Sequence, residues 1–276
     1  MGGGALSSKK VSELGIKRVS KKLRNPSRPS LRKGRGKCAF TLAEVLITLG
    51  IIGVVAALTI PSTISNFKKK EIATRFEQNY NIIQNAFQMA QVEYGDISTW
   101  DIPFNKKSMS YFNTYLFPYL KLVKKDMYTL KDLGYTTPAY DKEGNVFMPL
   151  NAKTLKAVMN NGSIIIGVKY ESGTNSNKEK VVYAYYMFVD LNGSKGPNKA
   201  GRDIFEYALP LANGAKLDIG LTNWTIYADG TIVYHKQKTH SELLQSCKNP
   251  SSNSISCGAL IAENGWKIPE DYPFRF

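Results

Sequence analysis

Residues 40–60, FTLAEVLITLGIIGVVAALTI, form an apolar run broken by a single charge, Glu44. As a helix, its 21 residues rise about 32 Å at ~1.5 Å each, enough to cross a bilayer core. Such a segment must lie in lipid or among other apolar helices. A carboxylate there costs at least a few kcal/mol unless it is paired. Glu44 is therefore expected to meet a positive partner inside the membrane or inside an assembly. A secretory signal has a shorter apolar core, about 7–15 residues, ending at an A-x-A-like site. Here the run is longer and leads into Thr59-Ile60-Pro61-Ser62. A plain signal anchor satisfies the hydropathy but leaves Glu44 unexplained.

Small residues lie along the same run. Ala43, Gly50 and Ala57 are spaced by seven, with Gly53 adjacent. Gly and Ala are common in membrane helices, and they also let helix backbones approach closely. With Glu44 beside this seam, helix–helix assembly is the better reading.

The residues flanking the run carry a further signal. Gly36-Lys37-Cys38-Ala39 precede it, and Phe40-Thr41-Leu42-Ala43-Glu44-Val45 open it. This resembles the N-terminus of type IV pilins and of type II secretion pseudopilins over about 25 residues. The resemblance implies a basic leader that a prepilin peptidase/N-methyltransferase removes between Ala39 and Phe40, methylating the new amine. It also implies assembly with other pilin-like subunits on an inner-membrane platform, driven indirectly by an ATPase. The family usually has Gly where this chain has Ala39. Ala is small, so cutting is expected to survive. A leader of 39 residues is longer than is usual in the family.

Charge divides sharply at Phe40. Residues 1–39 hold 12 Lys/Arg and one acid, Glu13; the rest holds 25 Lys/Arg and 21 acids. The basic character is thus mostly leader, and a nucleic-acid partner is not indicated. Basic residues before a first membrane segment stay cytoplasmic, which places residues after it outside the cytoplasm. The expected location is the bacterial inner membrane, single-pass, and then a pseudopilus or filament. Without Cys38 in the leader, Cys247 and Cys257 remain, an even pair ten residues apart. In an oxidising compartment they are expected to form a disulfide. Many type IV pilins carry such a loop near the C-terminus, so the resemblance implies the same pairing.

The expected fold class is α+β: a long N-terminal helix packed on a globular domain with an antiparallel sheet. Four regions are expected. Residues 1–39 are a disordered leader, 40–61 the membrane and assembly half of the helix, 62–95 its amphipathic half, and 96–276 the globular domain. Phe67, Ile72, Phe76, Tyr80, Ile83, Phe87, Ala90 and Tyr94 recur mostly at steps of three and four, giving one apolar stripe. Pro61 is expected to kink the helix, and Gly95-Asp96 to stop it. Residues 97–160 read as short helices and loops. Strands are expected at 163–170, 181–190, 224–228 and 231–235, the last two flanking an Asp229-Gly230 hairpin turn. The tail containing Trp266, Pro269, Tyr272 and Pro273 is expected to pack back on the sheet.

One loop offers oxygen ligands. Asp190, Asn192 and Ser194 alternate before Gly196, and Asp203 follows. This set suits a hard cation such as Ca²⁺, although the spacing departs from the EF-hand loop and Lys195 opposes it. Equally, Asp and Asn leaving a strand make turn hydrogen bonds. Some pseudopilins bind calcium in a body loop, which keeps a structural Ca²⁺ in view; no cofactor is required. His235 and His240 read as ordinary surface residues. No nucleophile pair, phosphate loop or carboxylate cleft is apparent, so a structural subunit is expected rather than an enzyme. Three functions follow: a pilus subunit, a secretion pseudopilin, or a membrane-anchored binding protein that never polymerises.

Overall fold

The computed structural model describes residues 40–100, 108–174, 178, 180–227, 231–249 and 254–276. Two compact units are distinguished, Met1–Ile51 and Ile52–Phe276. In the first, the described residues are Phe40, Thr41 and the opening turns of a helix, α1. That helix is assigned without interruption over Leu42–Tyr94, with Pro61 inside it. It ends where expected, at Gly95, whose φ of 79° lies in the left-handed region that glycine tolerates.

The second unit holds the core. Short helical turns follow α1, at Ile97–Thr99, then α2 at Ser108–Tyr111, Phe112–Leu116 and Phe117–Tyr119. Strand β1 is Leu122–Tyr128, and β2 (Ala139–Tyr140) and β3 (Val146–Met148) form a small ribbon. Next come β4 (Thr154–Met159), β5 (Ile164–Thr174), β6 (Lys180–Asp190) and β7 (Ile204–Pro210). A five-stranded sheet is ordered β1-β4-β5-β6-β7 with antiparallel neighbours. Strands β8 (Thr222–Ile226) and β9 (Ile232–Gln237) form a separate antiparallel pair, and α3 (His240–Lys248) and α4 (Ile255–Glu263) follow. The architecture is α+β, a long apolar helix with an antiparallel sheet.

The helix buries Ile72, Ala73, Phe76, Asn79, Ile83, Ala86, Phe87 and Ala90. The expected stripe is correct at its centre and wrong at its ends: Phe67 is 68% exposed and Tyr94 39%. Phe76 is the hub, its ring 4.7 Å from Phe205, 5.5 Å from Tyr207 and 5.7 Å from Trp266. Gly258 of α4 passes so close that a Cβ there would lie 2.6 Å from Phe76 Cζ. Asn79 is the polar exception. Its amide donates to Arg75 O and to Ser163 Oγ at 2.9 Å, tying α1 to the β4–β5 turn.

Strand β6 explains why VVYAYYMFVD lacks alternation. Tyr185, Met187 and Val189 join the core around α1, while Ala184 and Tyr186 join a smaller cluster with Ala208 and Ile255. A strand covered on both faces needs apolar residues at every position.

One expectation is corrected and two are extended. Residues 97–160 contain β1 to β4 as well as short helices, because β4 pairs with β5 and β1 with β4, which recruits sequences of modest strand character. The C-terminal region contains α3 and α4, and the expected Cys247–Cys257 disulfide joins them. The tail meets α1 as well: Trp266 lies 5.3 Å from Tyr80, and Tyr272 Oη donates to Gly201 O at 2.6 Å. The Asp229-Gly230 turn lies outside the described residues, although the strands flanking it do pair.

Candidate processing and assembly site

The start of α1 is organised by a reciprocal cap. Thr41 donates its backbone N–H and its hydroxyl to Glu44 Oε2, at 2.8 and 2.9 Å. Glu44 N–H donates back to Thr41 Oγ1 at 3.2 Å. The first N–H groups of a helix have no partner within it, and a Thr-x-x-Glu box satisfies two of them. Thr41-Leu42-Ala43-Glu44 is that pattern, so the cap is legible in the sequence. Glu44 consequently has two possible uses. Both bonds converge on Oε2, and among the described residues no donor is placed on Oε1.

Around the cap the surface is bare apolar. Phe40 is 83% exposed and Leu42 78%, and large side chains from Leu46 to Leu58 are exposed throughout. Gly50 and Gly53 have nothing within 4 Å of the position a Cβ would take, so their faces are open to a close neighbour. Ala43 and Ala57 are exposed on the same helix. Among the described residues, α1 is the one helix long and apolar enough to cross a membrane. Ala39, the residue expected before the cut, lies outside the described residues together with the leader and Cys38.

The loop from Asp190 to Asp203 is closed by hydrogen bonds. Asp190 and Asp203 are both buried. Tyr135 Oη donates to Asp190 Oδ2 at 2.9 Å and Asn192 N to Oδ1 at 3.2 Å. The backbone N–H groups of Asn198 and Lys199 donate to the two oxygens of Asp203, at 2.9 and 2.7 Å. Burial, and then the Asp203 charge, push the Asp190 carboxyl well above the usual range. Burial also raises Asp203, against the opposing effect of its two N–H donors. Ser194 sits half-buried in the same loop. Among the described residues no group of three or more His, Cys, Asp or Glu is placed to hold a metal ion. The calcium expectation for Asp190, Asn192, Ser194 and Asp203 thus rests on the sequence pattern alone.

Cys247 and Cys257 are bonded and fully buried. His240, expected to be an ordinary surface residue, bridges Glu263 at 2.9 Å and Asp271 at 3.0 Å. Nothing local in the sequence announced those partners, which lie 23 and 31 residues away.

Comparison with known families separates the two parts of the chain. Residues 62–276 match the model of a family of unknown function, DUF6613. The chain belongs to this family. Residues 34–60 match the prokaryotic N-terminal methylation motif, which is that of type IV pilin-like and pseudopilin proteins. No curated protein and no solved structure matches the chain. In this DUF6613 member the pilin-like signature therefore ends near Ile60, and the family match begins at Ser62.

Proposed function

We propose that the chain is the precursor of a structural subunit of a type IV pilus-like filament. A prepilin peptidase cuts between Ala39 and Phe40 and methylates the Phe40 amine. The apolar helix then leaves the bilayer for a bundle of like helices, with Ala43, Gly50, Gly53 and Ala57 allowing close approach. Glu44 Oε1 receives the cationic amine of a neighbour's Phe40. Pairing recovers much of the cost of a charge held in an apolar setting, and the fixed position of Glu44 gives the bundle its register. Repetition of one rotation and translation gives an open filament. The observation that carries this reading is the methylation motif over residues 34–60, set on a helix whose apolar side chains are exposed.

Two measurements test it. Intact-mass analysis of protein extracted from its host membrane is expected to show a chain beginning at Phe40, heavier by one methyl group. Retention of residues 1–39 while the peptidase is active contradicts the reading. Glu44 then needs a comparison of two variants. Gln serves a capping box as Glu does, but carries no charge. If the charge matters, Glu44→Gln and Glu44→Ala both stay membrane-bound and both fail to enter filaments. Normal assembly of Glu44→Gln assigns Glu44 to the cap alone.

A further inference from the structure

The sheet face turned away from α1 carries a cavity of ≈ 250 Å³ between β5, β6, the β8–β9 pair and the start of α4. Polar residues dominate its lining, with two aromatic rings, Tyr186 and Trp224, both fixed by hydrogen bonds. The Trp224 indole N–H donates to Asp218 Oδ2 at 3.0 Å, and Asp218 Oδ1 accepts from Gly220 N at 2.9 Å. Tyr186 Oη donates to Glu171 Oε2 at 2.8 Å. Lys169, the cross-strand partner of Tyr186, lies over its ring at 4.7 Å and pairs with buried Glu206 at 2.6 Å. Both ring positions are therefore locked before any ligand arrives. Trp224 remains only half-buried, so part of its surface is open.

The rim has both signs and both hydrogen-bonding roles. Glu171 is exposed, and among the described residues the one hydrogen bond to its carboxylate is from Tyr186, to Oε2. Lys238 Nζ donates to Gly220 O at 3.2 Å, leaving further N–H groups for another acceptor. Asn223 is exposed and offers an amide of either polarity. A phosphate here would face Glu171 and Asp218. A simple ammonium would face Lys238, and it would find the Tyr186 ring already covered by Lys169. A hydrocarbon would strand the polar rim without partners, at a cost for each group. A ring with apolar C–H faces and hydroxyls around its edge fits this lining: one face lies on the open part of Trp224, and the hydroxyls donate to Glu171 and accept from Lys238. The volume falls below the roughly 300–1,000 Å³ of drug-sized sites, which suits one such ring.

We infer that this cavity binds one neutral pyranose unit, free or at the end of a glycan chain. The site lies wholly within Ile52–Phe276 and stands whether or not the chain polymerises.

The test uses the full chain in a detergent without a sugar headgroup. Saturation-transfer NMR is run with methyl α-glucoside, methyl α-galactoside and N-acetylglucosamine. N-acetyl-lysine methylamide and inorganic phosphate serve as probes of the rejected charge types. At least one sugar is expected to bind and to shift the Trp224 indole N–H, identified by its loss in Trp224→Phe. Glu171→Gln keeps an acceptor for Tyr186 and Asn223 is exposed, so Glu171→Gln and Asn223→Ala are expected to melt like the parent. Each is expected to weaken the sugar about tenfold. A disaccharide that binds more tightly identifies a glycan chain as the source, and equal affinity identifies a single ring. Binding of the lysine probe or phosphate in place of any sugar overturns the inference. So does sugar binding that both variants leave unchanged, or no transfer from any of the three sugars.

Discussion

The two halves of α1 contain similar residues with opposite fates. Leu46, Leu49, Ile51 and Ile52 are 60–62% exposed, whereas Ile72, Phe76, Ile83 and Phe87 are at most 7% exposed. Both stretches are good helix formers, and one helix assignment covers both. Hydrophobicity therefore does not decide burial; a partner surface does. From Ile72 onward the sheet, α4 and the tail supply that surface from within the chain. Before Ile60 none is supplied among the described residues, and the same side chains are exposed there, as lipid or other apolar helices would need them.

That contrast can be broken most directly by paired truncations. Phe76→Ala removes a ring packed against Phe205, Tyr207 and Trp266, and is expected to cost about 3–5 kcal/mol. Leu46→Ala should leave thermal unfolding of Ile52–Phe276 within about 0.5 kcal/mol of the parent. Equal shifts in the melting temperature for the two variants would remove the distinction.

Next in size is the disulfide. Replacing Cys247 and Cys257 together by Ser should cost roughly 2–3 kcal/mol by the loop-closure argument. Both sulfurs are buried, so reductant should act only as the body unfolds. Rapid thiol labelling of the reduced native protein would contradict that.

A smaller effect concerns pH. The Asp190 carboxyl is raised by burial and by Asp203, so the folded state holds its proton more tightly than the unfolded state. Its contribution is present in full below the unfolded carboxyl value, near 3.9, and is lost as pH rises through the raised folded value. Asp190→Asn should therefore flatten the decline of stability with pH, read from urea unfolding at a series of pH values. An unchanged slope would place the proton elsewhere.

The smallest effect is expected at His240. Hydrogen bonds to Glu263 and Asp271 hold its pKa above the usual histidine value. Its stabilisation is present below about 6.5 and disappears as pH rises through the raised folded value. His240→Asn should lose this mild dependence with little other change, and a proton NMR titration of the ring reports the pKa directly. A titration at or below the ordinary value would show that the bridge does not hold in solution.

Legibility in the sequence followed the range of the interactions. Strands β5 and β6, the end of α1 at Gly95 and the Thr41–Glu44 cap are encoded by neighbouring residues. The burial of Asn79, the Tyr135–Asp190 contact and the His240 bridge are not, because their partners are 23 to 84 residues distant. Strand β7 is hidden in the sequence for a related reason. IFEYALP contains a carboxylate that reads as solvent-facing, yet Glu206 is buried because Lys169 comes from β5 to meet it.

The sequence by itself determined the apolar span, the N-terminal motif, the cysteine pair and the α+β class, since each depends on composition or on spacing within a few residues. Only the tertiary structure decided which apolar face of α1 is satisfied internally. It alone closed the 190–203 loop on hydrogen bonds and set Trp224, Tyr186 and Glu171 around one cavity. Those outcomes depend on segments far apart in the chain being brought within a few ångströms, and a linear pattern carries no record of that distance.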